Sequence, residues 1–512
     1  MRGLACILSA LLLTSPARAE WWVAETDHFI VYSEGKAKET EVFTQRLERF
    51  AMAMRTMQNM PAKPGAMNRR LTIYRWGEVS DIARLYGDIG SPVAGFFIPR
   101  AAGSVAFVPA REEFNGSSLG TRDSDEGQLG SETILFHEYV HHFMMQYFPT
   151  AYPAWYIEGF AEVYSTAEFL ENGVFRIGNP ANHRGMQLFY DEHFPVKKLF
   201  EAKIKPEDTR HHYSVGWLLT HYLTFTPARA GQLKKYLAAV SRGTASDEAA
   251  RQSFGDLDKL EREVQRYKTS RLIGYEVKPA GYVAPQVKLR ALTVAETAII
   301  GSKMRSDRGV TKKSAPRVAA QARAKAKPYP NVPFVQTALA EAEFDADNLD
   351  AAKVAADRAL SGDPSSVDAL NYLGMVEMER AKKDPSRYAI ARTWFVKANK
   401  LQPNNPEPLI NNYLSFAKAG QKIPELAIIG LERAFELAPF DRDVRFLLAR
   451  QLLGEGRGKG ARSVLLPVAV SAHGGKTKEA AEKIIASIDT SDLKAAVALA
   501  DKHIENAHDE EK

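Results

Sequence analysis

SETILFHEYVHHFMMQYF, residues 131–148, carries His137-Glu138-Tyr139-Val140-His141 at its centre. The apolar spacing around that pentapeptide is helical, with Ser131 as the expected N-cap and Pro149 just past the end. Residues four apart share one helical face, so the imidazoles of His137 and His141 reach a single ion. Glu138 falls beside them, placed to act on a water at that ion rather than to ligate it. A short turn bounded by Pro149 and Pro153 then leads to Trp155-Tyr156-Ile157-Glu158-Gly159-Phe160-Ala161-Glu162. Pro153 suits the first turn of a second helix. Glu158 and Glu162 are again four apart, within a segment apolar enough to be buried, and buried acids need partners. One carboxylate completes a His2Glu zinc site with its fourth position open, and the other accepts the outer N–H of a ligating histidine.

Eight of the twelve histidines lie between 137 and 221. Among them, His142 points away from the metal by helical geometry, and His221 sits on a mostly apolar helix as a packed core residue. Hydrolysis also needs a group to stabilise an oxyanion. Arg210-His211-His212-Tyr213 opens the helix YSVGWLLTHYL, so Tyr213 or His212 is the expected donor.

Elsewhere before residue 275 the pattern mixes strands and helices. Residues 21–32 read as one strand, 38–60 as a helix stopped by Pro61, and 71–76 as a second strand. Segments 94–98 and 103–108 read as a hairpin pair, with 103–108 as an edge that aligns an extended peptide by backbone hydrogen bonds. A polar loop follows from 110 to 130; Asp123, Asp125 and Glu126 within it match no calcium-loop spacing. Further helices are expected at about 212–225, 228–241 and 257–272. Residues 276–332 read as a connector. Beyond Pro333 the chain repeats itself: Ala352, Ala359 and Pro364 return as Ala391, Ala398 and Pro403, then as Ala427, Ala434 and Pro439. A weaker copy has Ala461, Val468 and His473. The closing positions are spaced 39, 36 and 34 residues apart.

At 512 residues, 45% hydrophobic and 25% charged, the chain is globular and too long for one core. Arg2, the apolar run Leu4 to Leu13 and Ala17-Arg18-Ala19 form a secretory signal peptide, residues 1–19, cut before Glu20. No later segment approaches a membrane span, so an exported protein, periplasmic or secreted, without a transmembrane anchor is expected. Cys6 is the only cysteine and lies in the removed segment. Disulfides and thiol catalysis are thereby excluded, and any metal must be held by His and carboxylates. Losing Arg2 and Arg18 lowers the formal charge from +6 to +4. The excess is concentrated in residues 302–327, read as a solvated basic helix; without interleaved aromatics it does not support nucleic-acid binding.

HEYVH followed by EGFAE resembles the gluzincin metallopeptidases, the group that includes thermolysin and the aminopeptidase N type. EGFAE is similar to the aminopeptidases' NEGFA-type segment, with Ile157 in place of Asn. The resemblance implies His137, His141 and Glu158 as zinc ligands, Glu138 as general base and Glu162 as a supporting carboxylate. No GxMEN-like exopeptidase motif occurs upstream. The whole plan is similar to bacterial peptidase-MA-like proteins, in which Tyr213 matches the Tyr that begins a later helix. The C-terminal pattern resembles the tetratricopeptide repeat, whose Leu-Gly pair Leu373-Gly374 matches. The implied fold is an α+β zincin-like (gluzincin) catalytic domain over 20–275, then an all-α tetratricopeptide-type solenoid over 333–505. The implied function is hydrolysis of a peptide or protein substrate with Zn2+ as cofactor, the repeats binding a protein partner. The other reading is an inactive repeat-based scaffold that keeps its zinc site.

Overall fold

A computed structural model describes residues 20–60, 70–87, 95–111, 130–201, 205–471 and 475–510. Residues 1–19, read above as a signal peptide, most of the 110–130 loop with Asp123, Asp125 and Glu126, and His473 lie outside the described residues. The chain begins with strands β1 (Trp21–Glu25) and β2 (Phe29–Glu34), helix α1 (Ala37–Met57), strand β3 (Leu71–Arg75) and helix α2 (Val79–Tyr86). Strands β4 (Phe96–Ile98) and β5 (Val105–Val108) come next. Then follow α3 (Ser131–Tyr147), α4 (Ala154–Ser165), β6 (Glu168–Phe169), β7 (Phe175–Ile177), α5 (Gly185–Phe189) and α6 (His211–Phe225). Next are α7 (Gln232–Ser241), α8 (Ser246–Phe254), α9 (Leu257–Lys268), β8 (Tyr275–Val277) and β9 (Lys288–Ala291).

Six strands form one sheet in the order β4-β5-β3-β2-β1-β9, and β6-β7-β8 form a second, small one. β2, β3 and β5 run parallel, joined by α1 and α2 as crossovers, while β4, β1 and β9 run antiparallel to their neighbours. Alternation assigns each face of the large sheet. Ala24, Phe29, Val31, Leu71, Ile73, Ala106 and Val108 pack with Leu47, Phe50 and Met54 of α1 and with α3. Trp21, Val23, Tyr74, Val105 and Phe107 face the opposite way, onto Ile82 of α2.

Three expectations change here. The single strand over 21–32 is a hairpin, because Thr26-Asp27-His28 reverse the chain: Thr26 N–H donates to Phe29 O at 3.0 Å and Thr26 Oγ1 accepts from Phe29 N–H at 3.2 Å. Segment 103–108 is not an edge; β5 lies between β4 and β3, and β4 is the edge strand. Ser131 is the first helical residue of α3, with Gly130 as the N-cap.

Residues 276–332 are also more than a connector. β9 pairs with β1 and closes the far edge of the sheet. Helix α10 (Val294–Arg308) covers the second sheet face with Ile300 and Met304, and α11 (Ala315–Ala326) packs beside it. At the start of the basic run Lys303 is packed, its Nζ 2.9 Å from the Asp307 carboxylate, which also accepts from the buried Tyr74 hydroxyl, while Lys312, Lys313, Arg317, Arg323, Lys325 and Lys327 are exposed.

The rest of the chain is a run of paired, stacking helices: α12 (Pro333–Asp345) with α13 (Leu349–Gly362), α14 (Val367–Arg380) with α15 (Arg387–Leu401), and α16 (Pro406–Lys418) with α17 (Glu425–Leu437). α18 (Arg442–Gly454) with α19 (Gly458–Ala469) and α20 (Gly475–Asp489) with α21 (Leu493–Glu510) complete it. The repeated small residues Ala352, Ala359, Ala391, Ala398, Ala427, Ala434 and Ala461 are all buried where helices meet. Gly374 shows why size matters there, since a Cβ on it would lie 2.3 Å from the Phe395 ring. Among the described residues, no helix is long and apolar enough to cross a membrane.

Candidate metal centre

Helix α3 is anchored by Leu135, Phe136, Tyr139, Val140 and Phe143, and the Phe136 ring stacks on Phe50 of α1 at 4.1 Å. That orientation leaves His137, Glu138 and His141 on the half-buried opposite side. Helix α4 is buried along nearly its whole length, from Trp155 to Ser165. It crosses α6 where two glycines meet: a Cβ on Gly159 would lie 2.3 Å from Gly216 O, and one on Gly216 would lie 2.6 Å from Trp155 O. Only hydrogen fits at either position, and this close crossing carries Glu158 and the start of α6 to the face of α3.

His137, His141 and Glu158 converge as a possible metal-binding cluster, their ligand atoms all within 4.8 Å of one another. His137 Nε2 lies 3.0 Å from His141 Nε2 and 3.2 Å from Glu158 Oε2, and His141 Nε2 lies 3.4 Å from that oxygen. A tetrahedral ion with bonds of about 2.0–2.1 Å sets its ligands about 3.3–3.4 Å apart, so this triangle fits one ion between three donors. The donor set, two imidazoles and a carboxylate, is one that zinc accepts. Burial disfavours a charged His137, but its hydrogen bonds to Glu158 and Glu162 outweigh that and raise its pKa to about 10. Two buried carboxylates thus draw positive charge to this point.

Glu162 stands behind the cluster, its Oε1 3.4 Å from His137 Nδ1. It is almost wholly buried and held from three sides. Arg184 donates to Oε1 through Nε at 3.1 Å and Nη2 at 2.5 Å, and His183 Nε2 lies 2.7 Å from Oε2. Burial alone would raise the carboxyl pKa, yet the bonds from His137, His183 and Arg184 hold it far below the usual range. His183 and Arg184 sit on a short 3-10 turn, Asn182–Arg184, and sequence reading missed both. His183 belonged to the histidine-rich span; nothing in the sequence marked Arg184.

Tyr213 reaches the site at the start of α6: its ring stacks on that of His137 at 6.0 Å, and the Arg184 guanidinium lies 4.9 Å from its centroid. Burial, with the charges of Glu158 and Glu138 next, pushes its phenol pKa far up, so it keeps its proton. His212, about 100° earlier around the helix, is buried and is not in the metal cluster. His142 faces away, packed against Phe97 and Phe440, with burial lowering its pKa to about 4. His221 is a core residue, 2.8 Å from Tyr267 Oη and 2.7 Å from Gly178 O.

No protein-family model and no curated protein matches the chain. Among solved structures it is similar to pilF of Pseudomonas aeruginosa, at 16% identity and a TM-score of 0.32, over 42% of this chain and 94% of that one. It is also similar to a thermophilic TPR protein of Thermus thermophilus, at 16% identity and a TM-score of 0.29, over 40% of this chain and 98% of that one.

Proposed function

We propose that the chain is an exported zinc-dependent metallopeptidase of the gluzincin, peptidase-MA-like kind, acting on peptide or protein substrates. The observation that carries this reading is the convergence of His137, His141 and Glu158 from two helices, with Glu162 behind His137. When bound, a zinc ion supplies Lewis acidity toward the scissile carbonyl and the attacking water. Glu138, one residue after His137, accepts the proton of that water and delivers it to the leaving amine. Tyr213, still protonated, donates to the oxyanion that develops on the carbonyl. Glu162 takes the Nδ1–H of His137, which fixes the tautomer and turns the Nε2 lone pair into the site. His183 and Arg184 hold Glu162 for that task.

The test is hydrolysis of a peptide library by the purified mature protein, with and without chelator, beside the variant Glu138→Gln. Chelation should abolish cleavage and zinc should restore it. Glu138→Gln should keep about one zinc per chain while turnover drops by two or more orders of magnitude. Cleavage indifferent to both treatments overturns the proposal. Full zinc occupancy without cleavage of any peptide supports the rival reading, a repeat-based scaffold that retains its metal.

A further inference from the structure

Strand β4 is only three residues long and, among the described residues, is hydrogen-bonded on one side alone, to β5. So short a hairpin edge is not stable unaided, and something must hold it. Part of the support is α3, against which β4 packs. A further part comes from 340 residues along the chain, where Asp441 Oδ2 accepts from Ala101 N–H in the β4–β5 turn at 2.6 Å. The other carboxylate oxygen of Asp441 caps α18, accepting from Val444 N–H at 2.9 Å. One buried side chain therefore ends a helix of the array and ties down the turn of the hairpin. Ala101 itself lies in the apolar cluster of the array's end, with Leu431, Val444 and Phe446. Beside this bond Phe440 places its ring 4.5 Å from that of His142, and His142 meets Phe97 of β4 at 5.4 Å. A continuous stack thus runs from the array through the residue next to ligand His141 and into the edge strand.

We infer that the α17–α18 turn is an internal brace: Asp441 and Phe440 are positioning residues that set edge strand β4 against α3. The inference rests on the peptidase reading, in which an extended peptide would pair with β4 as a further strand, and its new content is that the array fixes that edge.

The experiment uses the full mature chain and Asp441→Ser. Serine caps α18 as well as aspartate does, but it is too short to reach Ala101 as well. Amide hydrogen exchange should accelerate at least tenfold over 95–108, while 442–454 keeps its protection and zinc stoichiometry stays at the wild-type value. For a long peptide substrate KM should rise several-fold with kcat nearly unchanged; a dipeptide reporter should show no change. Phe440→Leu should shift exchange and KM in the same direction. Asp441→Asn, isosteric and still a good cap, takes the place of the serine variant if that chain does not fold. Wild-type exchange over 95–108 in these variants overturns the brace. Faster exchange with unaltered KM overturns the substrate-aligning role. If the wild-type protein cleaves nothing, the peptidase reading fails, and the exchange measurement still decides the brace.

Discussion

Replacing Glu162 by Gln keeps the shape of the side chain and removes its charge. The amide still offers one acceptor oxygen, whereas the carboxylate serves His137 Nδ1, His183 Nε2 and two nitrogens of Arg184. His137 is then oriented by a weaker partner, and losses of this kind typically cost 10–100-fold in metal affinity. That corresponds to about 1.4–2.7 kcal/mol of binding free energy. Linkage turns the loss into a stability difference. At a free zinc concentration 100 times the wild-type Kd, binding stabilises the native state by about 2.7 kcal/mol. At that concentration Glu162→Gln should gain about 1.4 kcal/mol if affinity falls tenfold and about 0.4 kcal/mol if it falls a hundredfold. Glu158→Ala, which removes a donor atom, should gain essentially nothing. The assay is denaturant unfolding with buffered zinc and with chelator, each variant compared with itself. This self-comparison cancels the separate destabilisation from leaving the Arg184 guanidinium without its counter-charge. A full response of about 2.7 kcal/mol in Glu158→Ala refutes the ligand assignment. A full response in Glu162→Gln refutes the supporting role, and an empty site in Glu162→Gln with a responsive Glu158→Ala reverses the two.

Gly159→Ala forces a methyl toward Gly216 O and Thr220 Oγ1, so α4 and α6 must separate at a cost of about 1–3 kcal/mol. Thermal melting in chelator should show that loss, and zinc titration should show weaker binding because Glu158 moves with the helix; wild-type values in both would refute the close-crossing argument. Burial pushes the Asp345 carboxyl pKa up to about 7, with the Asp307 charge adding to the rise. The folded state then holds this proton between about pH 4 and 7 while the unfolded state has released it, so stability falls as pH rises through that window. Asp345→Asn should flatten this slope and raise the melting temperature at about pH 8; an unchanged slope would refute it. His142→Phe, at a site packed among rings and held neutral by burial, should leave zinc stoichiometry intact, and metal loss measured by elemental analysis would refute its placement outside the centre.

The parts of the centre that sequence reading reached are those that one helical turn determines. His137 and His141, and again Glu158 and Glu162, stand four residues apart, and α-helical geometry turns that spacing into a shared face without further information. The features it missed depend on chain reversals and long-range packing. The turn at Thr26-Asp27-His28 contains neither Gly nor Pro, so two strands read as one. β9 is a four-residue strand with mostly exposed side chains, and its partner β1 lies at the other end of the unit. Arg184 sits on a 3-10 turn and meets Glu162, 22 residues earlier, and Tyr213, both contacts that no local spacing encodes.

The array poses the same problem on a larger scale. Its repeated alanines announced helix pairs and, through the resemblance, a surface for a protein partner. Yet its first and fourth pairs both reach back to the α/β unit. Phe334 of α12 lies 6.2 Å from the Tyr32 ring of β2, and Glu341 lies 3.8 Å from Lys303 of α10. Asp441, the N-cap of α18, holds the β4–β5 turn. Repeat periodicity reports how neighbouring helices pack on one another, and it says nothing about what lies across the remaining faces. Here part of those faces is occupied by the sheet that packs on the helix bearing His137 and His141. An outside partner that binds the array must therefore leave these contacts in place or compete with them, and competition at Asp441 would act on the edge strand beside the candidate metal centre.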